Sequence, residues 1–339
     1  MKFVGNTRVL TNTGEWGNNP RAWDAEFAPA AGQILSIQTG FKANSLTVSS
    51  GTVTSSSADF RPDGNGAGLG TLTVKTGATL QFSHTTVNIR RTGTADADSH
   101  FGTLTVEAGA ILDFSGSSDP EIGAAVFAFN GTVKYSGTGA QVLAAKGGNV
   151  GGADPIVYTN LTLSNTGVKT TAAGLITTVN GTLSMQGVAT AALGAGSAIV
   201  YGVGGSLEYA GSATQTSTSI EFPVVAGPVN LIINNSNGVS LHAPRTISGV
   251  LTFTTGKFTL GANQFTISNN ASAAIVGHNA NSYIVTNTAT GTLQRAIATA
   301  TNSYDFPVGN AFFYKLSNIT YTTAPLVAGF LSARWNVGY

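Results

Sequence analysis

Apolar and polar positions alternate in short runs along nearly the whole chain. The clearest are SLTV (45–48), TLTV (71–74), TLTV (103–106), TVKY (132–135) and NLTL (160–163). The series continues with TLSM (182–185), SLEY (206–209), NLII (230–233), VLTF (250–253) and QFTI (264–267). A period of two, bounded by Gly or Asn, predicts half-buried strands separated by tight turns. No segment carries a helical period over three turns. AAGLITT (172–178) and VFAFNG (126–131) are too short and too rich in Gly or aromatic residues. Successive runs start between 14 and 32 residues apart, most of them 20–30.

One frame is repeated nearly intact. GTLTVKTGATLQFSH (70–84) and GTLTVEAGAILDFSG (102–116) agree at ten of fifteen positions. Leu72, Val74, Leu80 and Phe82 recur as Leu104, Val106, Leu112 and Phe114, while Lys75 becomes Glu107 and Gln81 becomes Asp113. One strong strand per 20–30 residues is the signature of a solenoid coil, which cannot bury its apolar row alone. Stacking at about 4.8 Å completes the backbone hydrogen bonds and makes the apolar columns continuous. The expected fold is therefore all-β, a parallel β-helix. Leu72, Leu104, Leu161, Leu183, Leu207, Leu231 and Leu251 are expected in one inward column. Thr73, Thr105, Lys134, Thr162, Ser184, Glu208 and Thr252 are expected outside, free to vary because water tolerates many side chains.

A longer repeat overlays the short one, with an offset of about 70 residues. GTVKYSGTGAQVLAA (131–145) matches GSLEYAGSATQTSTS (205–219), and 158–185 matches 227–253, as if three coils had been duplicated together. A propeller would show a period near 40–45 with a Trp or Asp signature, and a sandwich would show two-residue hairpin turns; neither is present. The expected organisation is an N-terminal cap and first coil over 1–44, a parallel β-helix with duplicated coils over 45–282, and a C-terminal β cap or small β unit over 283–339.

Composition narrows the partners. Charged residues are only 9% of 339 and the formal net charge is +1, so the dense basic patch that nucleic acid requires is missing. With 42% hydrophobic residues the chain is too apolar to be disordered. There is no cysteine, which excludes disulfides, thiolate metal sites and cysteine nucleophiles. The first residues, MKFVGNTRVLTNTG, hold no apolar core of signal-peptide length, and no run approaches the ~20 apolar residues of a membrane span. If the protein is secreted, the chain is expected to be a mature piece of something longer.

The segment at 13–48 combines Gly14, Trp16, Asn19-Pro20, Trp23, Pro29, Ala31-Gly32 and the alternating Ile34 to Ile37. It resembles the opening of large, repeat-rich, adhesin-like surface proteins exported by bacterial type IX secretion. In those an acidic residue follows the Ala-Gly, where this chain has Gln33. The duplicated frame and the tail at 290–320, with its FPVG at 306–309, resemble the same proteins. The resemblance implies a right-handed β-helix with a covered first coil, a longer parent, and an extracellular or cell-surface location. It also implies attachment or filament assembly as the function, with other copies, neighbouring domains or surface glycans as partners. Trp16 or Trp23 is expected to pack over the open first coil, since large rings suit an uncovered apolar layer.

Chemistry is sparse. A β-helix can carry polysaccharide lyase or hydrolase activity, which needs paired carboxylates about 5–10 Å apart. Asp59, Asp63, Asp96 and Asp98, with Arg61 and Arg91 in the same loops, are the nearest candidates, although Asp and Asn also simply favour turns. Asp63, Asn65, Asp96 and Asp98 offer oxygen ligands at alternate positions that would suit Ca2+, without a complete calcium motif. His84, His100, His242 and His278 share no metal-ligand spacing. A Thr ladder for ice binding is interrupted by Lys134, Glu208 and Ile232. The balance favours a non-catalytic scaffold with no committed catalytic, cofactor or metal residue, against the alternative of a polysaccharide-processing enzyme.

Overall fold

The computed structural model describes residues 2–5, 8–10, 24–57, 59–63, 69–89, 101–116, 119–143, 156–286 and 290–336. It is almost entirely strand and forms a right-handed parallel β-solenoid of about 11 turns. The chain divides into two compact units, residues 1–179 with 189–199, and residues 180–188 with 200–339.

In the first unit, the repeated frame is one coil of the solenoid. Strand Leu72–Val74 lies parallel to Phe101–Val106, with Leu72 on Leu104 and Val74 on Val106. Strand Thr79–Phe82 lies in the same way on Ile111–Phe114, with Leu80 on Leu112 and Phe82 on Phe114. The two strands of each coil are joined by a turn closed by Ala78 N–H to Lys75 C=O, and by Ala110 N–H to Glu107 C=O, both 2.9 Å. Gly77 and Gly109 take φ of +79° and +78° there, a region that costs a side chain dearly. Identical turn chemistry holds the register, so the apolar positions cannot slip to the outer face.

The expected single Leu column is corrected to two rows in the first unit. Leu46, Leu72 and Leu104 form one row that ends on Phe127. Leu161 stands in another, above Leu35, Val53, Leu80, Leu112 and Val133. Each coil turns a corner between its two strands, so one coil contributes to two faces and reading one frame per coil merged them. Next to the second row an aromatic stack runs from Phe82 to Phe114 to Tyr135, with ring centroids 5.8 and 5.3 Å apart. These side chains are fully buried, and each large one contributes about 1.5–3 kcal/mol of transfer free energy.

Nor does the outer face drift as freely as expected. Asp113 is only 5% exposed. It accepts hydrogen bonds from Gln81 Nε2 (3.0 Å) on the coil below and Ser136 Oγ (2.5 Å) on the coil above. Glu107 reaches back to the Thr76 N–H at 3.0 Å. The substitutions within the frame thus make cross-coil bonds, because the 4.8 Å stacking brings side chains within reach of each other.

The second unit is also built on stacked apolar rows. Leu183, Leu207, Leu231, Leu251 and Ile275 follow one another in register, with Met185, Tyr209, Ile233 and Phe253 beside them. The parallel pattern ends at strands Thr292–Ile297 and Ser303–Gly309. Each is joined antiparallel, by Gly329–Ala333 and Tyr314–Thr320 respectively. Arg295 is buried under this end. Its guanidinium donates to the carbonyls of Asp305, Ala271 and Ser272 and lies over the rings of Tyr304 and Phe306.

The long duplication has a structural meaning. Gln141 and Gln215 hold equivalent positions, one in each unit. Each accepts the N–H of the Gly four residues before it, Gly137 at 2.8 Å and Gly211 at 2.9 Å. Each also donates to a carbonyl of the preceding coil, Phe114 or Met185. The amide supplies donor and acceptor together, which satisfies backbone groups at a bend where no strand can. The following coil completes the arrangement with Lys169 in the first unit and Asn235 in the second.

Candidate functional site

Of the loop carboxylates, Asp59 and Asp63 flank the short strand Phe60–Pro62. Asp59 pairs with Arg61 at 2.8 Å, and Asp63 is buried, its N–H bonded to Ala43 C=O. Asn65, Arg91, Asp96, Asp98 and His100 lie outside the described residues, as do Trp16 and Trp23. Among the described residues no group of three or more His, Cys, Asp or Glu could hold a metal ion. His84 accepts the Thr86 N–H at 3.0 Å in an exposed turn. His278 contacts Asp305 at 3.3 Å and the Tyr314 hydroxyl at 3.0 Å, so it binds the last antiparallel strand to the coil. Burial, then the Asp305 charge, raises the Tyr314 phenol above its ordinary value.

A dense polar cluster belongs to the second unit and centres on Glu221, which lies in the STSIEFPVVAGP insertion (217–228) and is 2% exposed. Its carboxylate accepts the Tyr209 hydroxyl at 2.9 Å, the Thr218 N–H at 2.5 Å and the Thr218 hydroxyl. The Tyr201 hydroxyl donates to its carbonyl at 2.5 Å. Burial first, and the nearby Glu221 charge second, push Tyr201 and Tyr209 well above the usual phenol range. Opposite stands Arg245, buried beneath the insertion. It donates to Phe222 C=O (2.6 Å), Pro244 C=O (2.8 Å) and Ser219 Oγ (2.8 Å), and lies 5.9 Å from the Phe222 ring centre.

His242 links the two sides. Its Nδ1 is 2.7 Å from Ser217 Oγ, and its Nε2 is 2.6 Å from Arg245 Nη2. A guanidinium can only donate, so Nε2 is the acceptor and Nδ1 carries the proton toward Ser217. Burial, reinforced by the Arg245 charge, lowers the His242 pKa below its ordinary value. A Ser–His pair suggests nucleophilic catalysis, but the bond here runs the wrong way, with the ring donating to the hydroxyl. Ser217 is also buried, and the ring faces a cation where a catalytic pair has an orienting carboxylate. Chemically the cluster is a latch that fixes the insertion onto the coil. Beside it lies an open groove of about 410 Å³ lined by Pro223, Val224, Pro244, Arg245, Thr246, Gln264 and Thr266.

In the sequence His242 is one of four histidines without metal-ligand spacing, and Glu221 and Arg245 carry no motif. The available signal was an acid, two Pro and two Val inside an insertion, with HAPR (242–245) one coil later. Buried Lys169 was likewise missed as an internal group. It donates to Gly137 C=O (2.7 Å), Gly139 C=O (3.0 Å) and Gln141 Oε1 (2.8 Å), and burial lowers its pKa to about 8.

No family model matches the chain, and comparison with curated proteins and with solved structures finds no match.

Proposed function

We propose that the chain is an extracellular structural or adhesive scaffold that presents a long β-solenoid surface for attachment or filament assembly and carries out no chemistry. The observation that supports this most is how the buried ionisable groups are used. Lys169, Arg245 and Arg295 donate to backbone carbonyls one coil away, and Glu221 fixes its own insertion through Thr218 and Tyr209. Groups committed in this way hold the solenoid together. Export by type IX secretion and membership of a longer surface protein rest on the resemblance of the N-terminal segment and tail. No helix among the described residues is long and apolar enough to cross a membrane.

The competing reading, a polysaccharide lyase or hydrolase, draws on Asp59, Arg61 and Asp63, which the strand Phe60–Pro62 sets within five residues of each other. The two readings separate on a panel of acidic and neutral polysaccharides, with release of reducing ends and of unsaturated products as the readouts. The scaffold reading expects no turnover above buffer. Turnover that disappears in Asp59→Ala or Asp63→Ala would replace it with the enzyme.

A further inference from the structure

The C-terminal end of the second unit leaves a strand edge and an apolar surface uncovered. Strand Tyr314–Thr320 is the last of a six-stranded sheet, and among the described residues no strand pairs with its outer edge. On the strand and in the turn before it, Phe312, Phe313, Leu316 and Ile319 are exposed, Phe312 to 85%. Proteins protect such edges with charge, bulges or a cover, because an open edge templates further strands. Here the one charged residue on the strand is Lys315. An apolar patch of this density marks a contact surface.

We infer that this edge pairs with the same edge of a second copy, antiparallel and about a two-fold axis at Ser317. The ladder parity favours this register. Asn310 N–H bonds Phe313 C=O and Tyr321 N–H bonds Asn302 C=O, so the odd-numbered residues turn their backbone groups inward. The groups of Tyr314, Leu316, Asn318 and Thr320 therefore face the free edge. A two-fold axis at Ser317 sets Leu316 opposite the second copy's Asn318, and Tyr314 opposite its Thr320. All four outward positions are then used, and about eight backbone hydrogen bonds form. Charge favours the same arrangement. A parallel in-register pairing would put Lys315 beside its own copy, a destabilising like-charge pair. The antiparallel one puts it opposite Ile319, where its aliphatic stem covers the apolar side chain and the ammonium stays in water. The contact is isologous and closes on itself, giving a dimer joined edge to edge.

This inference deepens the scaffold reading, on which it rests, by naming a partner and the end that binds it. The test is light scattering of the full chain after size exclusion, for the native protein and two variants. The native protein is expected at twice its 34.4 kDa chain mass. Ile319→Lys places like charges opposite each other and is expected to halve that mass. Combining Ile319→Lys with Lys315→Glu makes the opposed charges complementary and is expected to restore the dimer. Position 319 is exposed, and an unchanged far-ultraviolet circular dichroism spectrum serves as the folding control. A native protein that stays monomeric, a dimer indifferent to Ile319→Lys, or a double variant that is not rescued would each overturn the pairing. A monomer would leave the scaffold reading standing, whereas polysaccharide turnover would remove that reading without changing the measured mass.

Discussion

Truncating Leu104 tests the stacked-row architecture at its most repeated position. Leu104 is fully buried, in register between Leu72 on one neighbouring coil and Phe127 on the other. Leu104→Ala removes three carbons, a transfer loss of about 2 kcal/mol at about 0.8 kcal/mol each. The cavity adds to this, because Leu72 and Phe127 are fixed by their own ladders and cannot close in. The total should fall at about 3–5 kcal/mol, in the upper part of the range for such truncations. Thr105→Ala on the same strand changes a half-buried outward residue and should stay within about 1 kcal/mol. A long array of coils need not unfold in one step, so amide hydrogen exchange is a better readout than a single melting curve. In Leu104→Ala the amides of Val74, Thr105 and Val106 should lose protection together, while those of 230–255 are unaffected. Equal effects of Leu104→Ala and Thr105→Ala would refute the assignment of inward and outward positions.

Two other outcomes follow from the buried polar groups. Glu221→Gln replaces an acceptor of three hydrogen bonds by a group that can accept at only one atom. It should cost about 1–3 kcal/mol and open the exposed Val224–Val225 segment to limited proteolysis, with wild-type cleavage rates as the contrary result. Lys169 has a folded pKa of about 8 against an ordinary 10.5, so between those values the unfolded chain binds more protons. Its contribution to stability should therefore rise from pH 8 toward 10, a slope seen in chemical denaturation that Lys169→Met should abolish; an unchanged slope would show that Lys169 is not the group responsible.

The fold was legible because a solenoid writes the same physical demand once per coil. Leu72 and Leu104, or Phe82 and Phe114, stack on each other, and stacked positions select the same residue type. What the sequence hid is the corner. Leu161 shares the frame of Leu72 yet lies on another face, since the period marks coils and not sides. The expected freedom of the outer face also failed at Asp113, where a neighbour one coil away in space is 32 residues away in the chain. The Glu221–His242–Arg245 latch was unreadable for the same reason. Its members come from different coils, and each residue looks unremarkable in its own stretch. Gln141 and Gln215 are the counterexample, where duplication made a buried polar device visible as a repeat.

As a proposed scaffold, the protein works by holding and presenting a surface. Attachment of the native cells under flow, with and without the gene, tests it most directly. Cells lacking the gene should detach at lower shear, and the gene carrying both Asp59→Ala and Asp63→Ala should restore attachment fully. Deleted cells that adhere as firmly as the parent would contradict it, and so would a restoration that depends on those carboxylates.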